Sequence, residues 1–390
     1  MIKRVIWIIL DSVGMGSLPD AARFGDEGCN TLAHVWQYCN GLKLPNLIKL
    51  GLGNIDGQEI ITKTDCPLAA YARLAELSNG KDTTIGHWEM TGIITQEAFP
   101  VYPDGFPDYI INEFVKKTGV PGVLGNCPAS GTEIIARLGR EHMETGKPIV
   151  YTSADSVFQI AAHEEIIPVD RLYEMCRIAR GILTGRDNCA RVIARPFEGE
   201  AGNFTRTANR RDFSRKPDRD NVLCYIKEAG LPVTGVGKIE DIFAGVGITG
   251  AIHTRDNMHG IKVTLDLMKT QENGLIFTNL VEFDSKWGHR NDPAGYGSGL
   301  EAFDEVLPQV LDAMTDTDLL IINSDHGCDP TTPGTDHTRE YIPLIMYRTG
   351  MAGVNLGTGI TFANIGQTVA DVLGCKHLGV GESYADKLKI

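Results

Sequence analysis

Three aspartates and three histidines of this chain lie at or beyond the ends of strand-like segments. Asp11 follows VIWIIL, Asp284 and His289 follow LIFTNLVEF, and LLIINS leads to Asp325, His326 and His337. Carboxylate and imidazole groups in this number are enough to hold two divalent metal ions. The pattern therefore predicts a two-metal site and metal-assisted phosphoryl chemistry.

The combination carries this prediction, because single members have simpler explanations. An aspartate after a strand, such as Asp11 in DSVGMGS, is commonly a turn former or a helix cap. Asp325 and His326 are a stronger signal, since adjacent charged and imidazole groups at a strand exit are costly to bury without a cation. Gly288 lets the loop from Asp284 to His289 fold back, and Gly and Pro around His337 allow the same.

Strand-like and helix-like segments alternate along the chain and are expected to position these groups. The alternation predicts an α/β core with a mostly parallel sheet flanked by helices, in which sites form at the carboxyl ends of the strands. Composition changes after residue 98, and the polar stretch Gly199–Asp220 has little hydrophobic periodicity and reads as a linker. We expect a discontinuous metal-binding catalytic core of residues 1–98 and 219–390, with residues 99–218 inserted as an α+β cap domain.

Composition limits the classes of function. The net charge of −13 argues against nucleic acid as a partner, because phosphate backbones require a basic surface. No apolar run approaches the roughly 20 residues that span a bilayer, so we expect neither a signal peptide nor a membrane anchor, and a cytoplasmic location. The nine cysteines are scattered and never form a CxxC motif, which is typical of reduced thiols. The sequence identifies no protein partner.

A phosphoryl-transfer site also needs a nucleophile, and the segment KDTTIGHWE offers hydroxyl groups. Thr83 and Thr84 follow Gly80 and Lys81, which suggest a turn that enters a helix. The free N–H groups at such a helix start favour an anion. On local sequence alone, an ordinary helix cap is the simpler explanation of the same residues. A bound cation would favour the alkoxide form of a threonine, as it does for bound water.

One basic stretch stands out in an otherwise acidic chain. Between Arg171 and Asp220, Lys and Arg number 12 and Asp and Glu number seven. Most of these residues are expected on solvated faces that form scattered ion pairs. Arg191 and Arg195 differ, because they flank the strand-like VIA and lead to an expected turn at Pro196. That placement suits guanidinium groups that bind phosphate.

Several of these segments together resemble the bacterial phosphopentomutases, a family of the alkaline phosphatase superfamily. The resemblance covers essentially the whole chain and is carried by GKDTTIGHWE, IILDSVGMGS, SDHG, TDHTRE, VEFDSKWGHR, YTSADS, ARPFEG and GVGKIEDIF. It implies a Rossmann-like, alkaline-phosphatase-like core with an inserted cap and two Mn²⁺ ions. It also implies small-molecule pentose phosphates as substrates, with ribose 1-phosphate or 2-deoxyribose 1-phosphate interconverted with the 5-phosphates.

The resemblance also implies roles for individual residues. It assigns one metal to Asp284, His289 and His337, and the other metal to Asp11, Asp325 and His326. It makes Thr83 the phosphorylated residue. It assigns substrate to Ser153, Asp155, Arg191 and Lys238, and whether Arg191 or Arg195 takes the distal phosphate stays open.

The implied reaction passes through a phosphothreonine and a sugar 1,5-bisphosphate. Such a cycle needs a priming step, so a sugar bisphosphate activator or a phosphorylating partner is expected. The insertion is large enough to cover the site and keep water away from the phosphothreonine. The alternatives are a metal-dependent phosphohydrolase of the same superfamily, a cofactor-independent phosphoglycerate mutase, and a non-enzymatic binder of phosphorylated ligands. The sequence pattern of the phosphoglycerate mutases has a serine at the position where this chain has Thr83.

Overall fold

The computed structural model describes residues 1–153 and 156–389. The described chain divides into two compact units. The first contains residues 1–98 and 217–390, and the second contains the intervening residues 99–216. Each unit has its own sheet and its own buried apolar core. The chain therefore enters and leaves the second unit once, as expected for an insertion.

The strands supply both sheets and are numbered in chain order. They are β1 (Arg4–Leu10), β2 (Ala70–Leu74), β3 (Leu124–Pro128), β4 (Ile149–Thr152), β5 (Val157–His163), β6 (Arg191–Glu200), β7 (Asn203–Arg206), β8 (Arg211–Ser214), β9 (Val233–Val236), β10 (Gly250–Ile252), β11 (Gly274–Leu280), β12 (Asp318–Asn323), β13 (Ile342–Tyr347) and β14 (Val354–Gly359).

The α-helices are numbered in the same way. They are α1 (Thr31–Tyr38), α2 (Pro45–Leu50), α3 (Thr83–Met90), α4 (Asp108–Thr118), α5 (Gly131–Thr145), α6 (Val169–Ile182), α7 (Val222–Glu228), α8 (Ile239–Ile242), α9 (Asn257–Thr270), α10 (Pro293–Asp312) and α11 (Ala363–Val372). Within the described residues, no helix is long and apolar enough to cross a membrane.

The sheet of the first unit is mixed and mostly parallel. Its eight strands lie in the order β10-β9-β11-β1-β12-β13-β2-β14, and only β13 runs antiparallel to its neighbours. The central strands β11, β1 and β12 are buried along their whole length, which explains why they read as continuous apolar runs rather than alternating ones. The predicted α/β class and mostly parallel sheet are confirmed.

The sheet of the second unit is also mixed, with the order β3-β4-β5-β6-β7 and with β8 paired to β6. Helices α4 and α6 pack with β5 and β6 around one apolar cluster that includes Phe114, Phe158 and Met175. Helix α5 packs with β3, β4 and β5 around a smaller cluster that includes Ile134 and Tyr151. This unit is therefore an α+β fold with its own core.

Two local predictions in the second unit are wrong. The stretch Gly199–Asp220 is not a linker, because it forms β7 and β8, which both pair antiparallel with β6. Short strands at a sheet edge stay polar on exposed faces, so they lack the hydrophobic pattern of a core strand. Pro196 does not start a turn either, since β6 continues through it to Glu200, in parallel register with β5.

Candidate active site

Three neighbouring parallel strands deliver the predicted metal ligands to one edge of the first sheet. Strand β1 lies between β11 and β12 in register, with Ile9 opposite both Asn279 and Asn323. The carboxyl ends of the three strands therefore leave the sheet together. Asp11 follows β1, Asp325 follows β12, and Asp284 lies in the π-helical turn Phe283–Trp287 beyond β11.

All six predicted ligands converge at this edge. The Nε2 atom of His326 lies 3.2 Å from Asp325 Oδ2 and 3.5 Å from Asp11 Oδ1. The Oδ1 atom of Asp284 lies 3.1 Å from His337 Nε2 and 3.3 Å from His289 Nε2. The rings of His326 and His337 lie 3.9 Å apart between their centroids, which joins the two halves into one cluster.

The chain fixes which nitrogen of two histidines faces the cluster. The Nδ1 atom of His289 is 2.5 Å from the carbonyl oxygen of Thr335, and Nδ1 of His326 is 3.0 Å from that of Gly327. A carbonyl oxygen only accepts, so each Nδ1 carries the proton and donates it. In the neutral imidazoles, the Nε2 atoms are then left with a free lone pair at the cluster, which is the usual arrangement of metal-binding imidazoles.

The cluster carries more negative charge than its own hydrogen bonds satisfy. Asp11 and Asp325 are completely buried, and Oδ1 of the first and Oδ2 of the second accept no well-oriented hydrogen bond among the described residues and face only the imidazoles of His326 and His87. Buried carboxylate oxygens in this state are costly unless a cation is bound. The donor set, its burial and these two oxygens therefore fit divalent metal ions.

The pKa shifts have the same cause. Burial raises the pKa of Asp11, and the carboxylates of Asp325 and Asp284 raise it further. Burial also lowers the pKa of His326, but the carboxylates of Asp325, Asp11 and Asp284 outweigh it and hold that pKa well above its usual value. The cluster thus attracts positive charge strongly, as protons on imidazoles or as metal cations.

Among the described residues, the structure groups the possible metal ligands into three sets, and only one of these sets contains the same residues as a predicted metal site. The donor atoms of Asp11, Asp325 and His326 lie within 4.8 Å of one another and could together hold one metal ion. Asp284 forms such a set with His326 and His337, and a second set with His289 and Cys328. The buried thiol of Cys328 thus lies beside the cluster. The assignment of each ligand to one metal stays a prediction.

Thr83 lies directly against this cluster. It is the first residue of α3, and its hydroxyl oxygen is 3.0 Å from Nε2 of His326. Asp82 caps the helix by accepting from the N–H groups of Thr84 and Ile85. The neighbouring Thr84 is buried, with a relative exposure of 5%. The cap is therefore supplied by Asp82, and the hydroxyl of Thr83 is directed to the candidate metal ligands.

Close backbone packing sets the position of Thr83. A Cβ atom on Gly86 of α3 would lie 2.1 Å from the carbonyl oxygen of Asp325. This distance is too short for any side chain, so only glycine fits at this position. Ser12 adopts a left-handed conformation with a φ of 72°, and its N–H donates to Asp325 Oδ1 at 3.0 Å. Strained backbone of this kind persists where surrounding contacts fix it.

Two further polar residues of this edge were missed from the sequence. Nδ1 of His87 lies 2.9 Å from the carbonyl oxygen of Thr83 and 3.1 Å from Asp325 Oδ2. Nδ2 of Asn279 donates to Asp11 Oδ2 at 2.7 Å and lies 3.4 Å from His87 Nε2. The spacing of four residues between Thr83 and His87, one helical turn, could have predicted that His87 lies near the site. Asn279 lies inside an apolar strand, and no sequence pattern indicates its position.

The predicted substrate residues are spread over both units. Ser153 follows β4 and is partly buried, and Asp155 lies outside the described residues. Arg191 begins β6, 3.7 Å from Asp212, and Nε of Arg195 donates to Gln159 Oε1 at 3.0 Å. Lys238 precedes α8, two residues after β9 ends at the same edge of the first sheet as the metal ligands. Their substrate roles stay predictions.

Comparisons with known proteins agree with this description. The model of the Metalloenzyme superfamily matches residues 3–377. The chain is 58% identical to the phosphopentomutase of Clostridium novyi (strain NT) over 389 residues, which cover all of both chains. It is 56% identical to the phosphopentomutase of Caldanaerobacter subterraneus subsp. tengcongensis over 391 residues, which cover all of this chain and 99% of the relative.

A solved structure shares the architecture at much lower identity. The PH0037 protein from Pyrococcus horikoshii superposes with a TM-score of 0.50 at 15% identity, over 96% of this chain and 98% of that one. That likeness bears on the fold alone, and together with the family match it supports the predicted alkaline-phosphatase-like fold. The donor cluster and the metalloenzyme match indicate a divalent metal cofactor. The full-length identity to several phosphopentomutases shows that the chain belongs to the phosphopentomutase family of isomerases.

Proposed function

We propose that this protein interconverts the 1-phosphates and 5-phosphates of ribose or 2-deoxyribose through a phosphorylated Thr83. One observation carries the proposal beyond family membership. The Thr83 hydroxyl lies 3.0 Å from His326 Nε2, at the edge of a buried cluster of carboxylates and imidazoles. A hydroxyl in this position suits transfer of a phosphoryl group.

The first half of the reaction moves the phosphoryl group from threonine to sugar. The bond between Thr83 Oγ1 and phosphorus breaks, the free hydroxyl of a pentose monophosphate forms a new bond to phosphorus, and the proton of that hydroxyl passes to Thr83 Oγ1. The product is a 1,5-bisphosphate. In the second half the other phosphoryl group returns to Thr83, which leaves the isomeric monophosphate and regenerates the phosphothreonine.

The chain's own groups position the reacting oxygen. The carbonyl oxygen of Thr83 accepts from Nδ1 of His87, and Gly86 allows the close approach of α3 to the backbone of Asp325. The N-terminus of α3, which is the positive end of the helix dipole, lies beside the position of the phosphoryl group. These contacts fix the hydroxyl before substrate arrives, so little reorganisation is needed during transfer.

We assign two Mn²⁺ ions to the six ligands. Asp284, His289 and His337 would hold one, and Asp11, Asp325 and His326 the other. When bound, the ions supply neutralisation of the charge on the transferring phosphoryl group and stabilisation of the threonine oxygen. Carboxylate and imidazole ligands also suit Zn²⁺ or Fe²⁺, so the choice of manganese rests on family resemblance.

We further propose that Ser153, Asp155, Arg191, Arg195 and Lys238 contact the sugar phosphate. Guanidinium and ammonium groups suit the phosphate that does not react, and hydroxyl and carboxylate groups suit the sugar hydroxyls. Thr83 must also be phosphorylated before the first turnover. A sugar bisphosphate serves as the activator, because it can donate a phosphoryl group and leave as a substrate.

The test measures both isomerisation and release of phosphate. Purified protein with Mn²⁺ is expected to convert ribose 5-phosphate to ribose 1-phosphate with little free phosphate. Thr83→Ala should lower the rate by at least about 1000-fold, because the nucleophile is lost, while bound metal stays unchanged. Free phosphate as the dominant product would instead indicate a phosphohydrolase, and full activity in Thr83→Ala would exclude the phosphothreonine mechanism.

A further inference from the structure

Two arginines of the second unit have no acidic partner among the residues that the structure describes. Arg195 on β6 is partly buried, and its Nε donates to the neutral Gln159. Arg206 ends β7 and is exposed. Among the described residues, neither guanidinium has a carboxylate within 4.0 Å. By contrast, Arg210 makes two hydrogen bonds to Asp212, at 3.0 and 3.1 Å. The charges of Arg195 and Arg206 are therefore available to an anion.

A buried hydroxyl without a partner lies in the same place. Tyr151 on β4 is completely buried, and its hydroxyl has no hydrogen-bond partner among the described residues. A Cβ atom built on Gly131 would lie 2.7 Å from this hydroxyl and 3.6 Å from Arg206 Nη1. The hydroxyl and the guanidinium therefore lie side by side at the start of α5. An unpaired buried hydroxyl is costly, so a ligand that accepts from it would be stabilising.

Gly131 is also the first residue of α5, a helix of 15 residues. The first N–H groups of a helix have no intrahelical acceptor. The side chain of Ser130 accepts from the N–H of Glu133, which leaves the N–H groups of Gly131 and Thr132 to other acceptors. The positive end of the helix dipole adds to the charge of the arginines. The start of α5 thus adds two backbone N–H donors to those of the arginines and Tyr151.

The electrostatics of these groups agree with the geometry. Burial, together with the charges of Arg210 and Arg206, lowers the pKa of Arg195 to about 10, against the opposing effects of Tyr151 and Asp212. Burial raises the pKa of Tyr151, and the charges of Arg195, Arg206 and Arg210 oppose that rise. The arginines are therefore close enough to destabilise one another, and a bound anion would relieve this repulsion.

We propose that Tyr151, Arg195, Arg206 and the N-terminus of α5 form a binding site for the phosphate group of a phosphate monoester. The donors are two guanidinium groups, one hydroxyl and two backbone N–H groups, and they suit a tetrahedral dianion with three free oxygens. All of these groups belong to the second unit, and Arg191, which lies near Asp212, is not among them. The proposal shares Arg195 with the substrate contacts proposed above and rests on that assignment to this extent, but it does not depend on the phosphothreonine reaction.

Hydrogen exchange of the full-length, Mn²⁺-loaded protein provides a local test. Addition of inorganic phosphate or ribose 5-phosphate should slow the exchange of the Gly131 and Thr132 amides at least threefold, compared with sodium chloride at equal ionic strength. Protection by both compounds identifies the phosphate group as the recognised feature, and protection by ribose 5-phosphate alone identifies the ester. Protection by inorganic phosphate alone, or by neither compound, would overturn the proposal.

Variants separate this site from nearby charge effects. Arg206→Gln should abolish the protection, whereas Arg186→Gln, which removes another exposed arginine of the second unit, should retain it. Thr83→Ala should also retain it, so a failure of the phosphothreonine mechanism would leave this result unchanged. Tyr151→Phe should raise the melting temperature in phosphate-free buffer and reduce the further gain from phosphate. Equal protection in Arg206→Gln and wild type would contradict the assignment.

Discussion

The two units hold their charged groups in opposite ways. In the first unit, Asp11 and Asp325 are completely buried and His326 is 1% exposed, and hydrogen bonds with Asn279, Ser12 and Gly327 respectively fix their orientation. In the second unit, Arg195 is partly buried and Arg206 is exposed, on strands at or near a sheet edge. Buried ligands must be held rigidly, because desolvation is repaid only in good geometry. Exposed cations tolerate looser positioning, so substitutions in the first unit should have the larger effects.

The largest effect is expected for Asp325→Asn in the first unit. The change keeps the shape of the side chain but removes one of the charges that balance bound cations. Metal affinity should fall at least about 100-fold, and mutase activity at subsaturating Mn²⁺ should fall with it. Metal content after dialysis and the Mn²⁺ concentration for half-maximal activity measure this effect.

Asp304→Asn is the matched control for that variant. Asp304 is also buried in the first unit, but it accepts from the N–H groups of Asn46 and Leu47, away from the cluster. Its replacement should lower the free energy of unfolding by about 1–3 kcal/mol and leave Mn²⁺ affinity unchanged. Equal loss of metal in both variants would mean that general destabilisation, rather than lost ligation, explains the result.

A second prediction concerns the approach of α3 to the cluster. A Cβ atom on Gly86 would overlap the carbonyl oxygen of Asp325, so Gly86→Ala must move the helix and carry Thr83 with it. A displacement of about 1 Å at a reacting group costs on the order of 100-fold in rate. We therefore expect kcat to fall by at least that factor, measured with saturating Mn²⁺ and ribose 5-phosphate.

Gly181→Ala in the second unit provides the comparison. Gly181 lies in helix α6, and a Cβ atom there would have no neighbour within 4 Å. This variant should keep full activity and be unchanged or up to about 1 kcal/mol more stable, because alanine favours the helix. Wild-type activity in Gly86→Ala would show that the close approach of α3 does not set the position of Thr83.

The smallest effect is expected in the pH dependence of stability. Glu340 is 1% exposed, and burial raises its pKa from 4.5 to about 7, against hydrogen bonds from Thr338 and Thr31. Between these pH values the folded chain holds a proton that the unfolded chain has lost. This group's contribution to stability is therefore present below about pH 4.5 and is lost as the pH rises through 7.

Glu340→Gln should remove that contribution. The free energy of unfolding of wild type, relative to the variant, should fall by up to about 3 kcal/mol between pH 4.5 and 8. Urea unfolding followed by tryptophan fluorescence measures it, because Trp7, Trp36, Trp88 and Trp287 all lie in the first unit. A parallel pH dependence in both proteins would contradict the titration of Glu340 in this range.

Much of the first unit could be predicted from the sequence, because its signals are local and chemical. Apolar runs that end in Asp or His mark the ends of buried strands, and β11, β1 and β12 place those ends side by side. The convergence of the six ligands follows from that strand order. The sequence predicted a reactive hydroxyl on Thr83 or Thr84. The structure distinguishes the two, because of this pair only Thr83 contacts His326.

The rest depended on contacts that no local pattern records. Strands β7 and β8 are polar, so their pairing with β6 could not be predicted from hydrophobic alternation. Asn279 contacts Asp11 across neighbouring strands, and its polarity is hidden inside an apolar run. The unpaired hydroxyl of Tyr151 is visible only once the surrounding atoms are placed.

The central claim is that Thr83 carries the phosphoryl group between the two positions of the sugar. Mass spectrometry of peptides from the Mn²⁺-loaded protein, treated with a sugar bisphosphate, tests it most directly. We expect an added phosphoryl group on Thr83, which is replaced by an ¹⁸O-labelled phosphoryl group when excess labelled pentose monophosphate is supplied. A phosphoryl group on Thr84 or elsewhere that turns over with substrate, while Thr83 stays unmodified, would contradict the account.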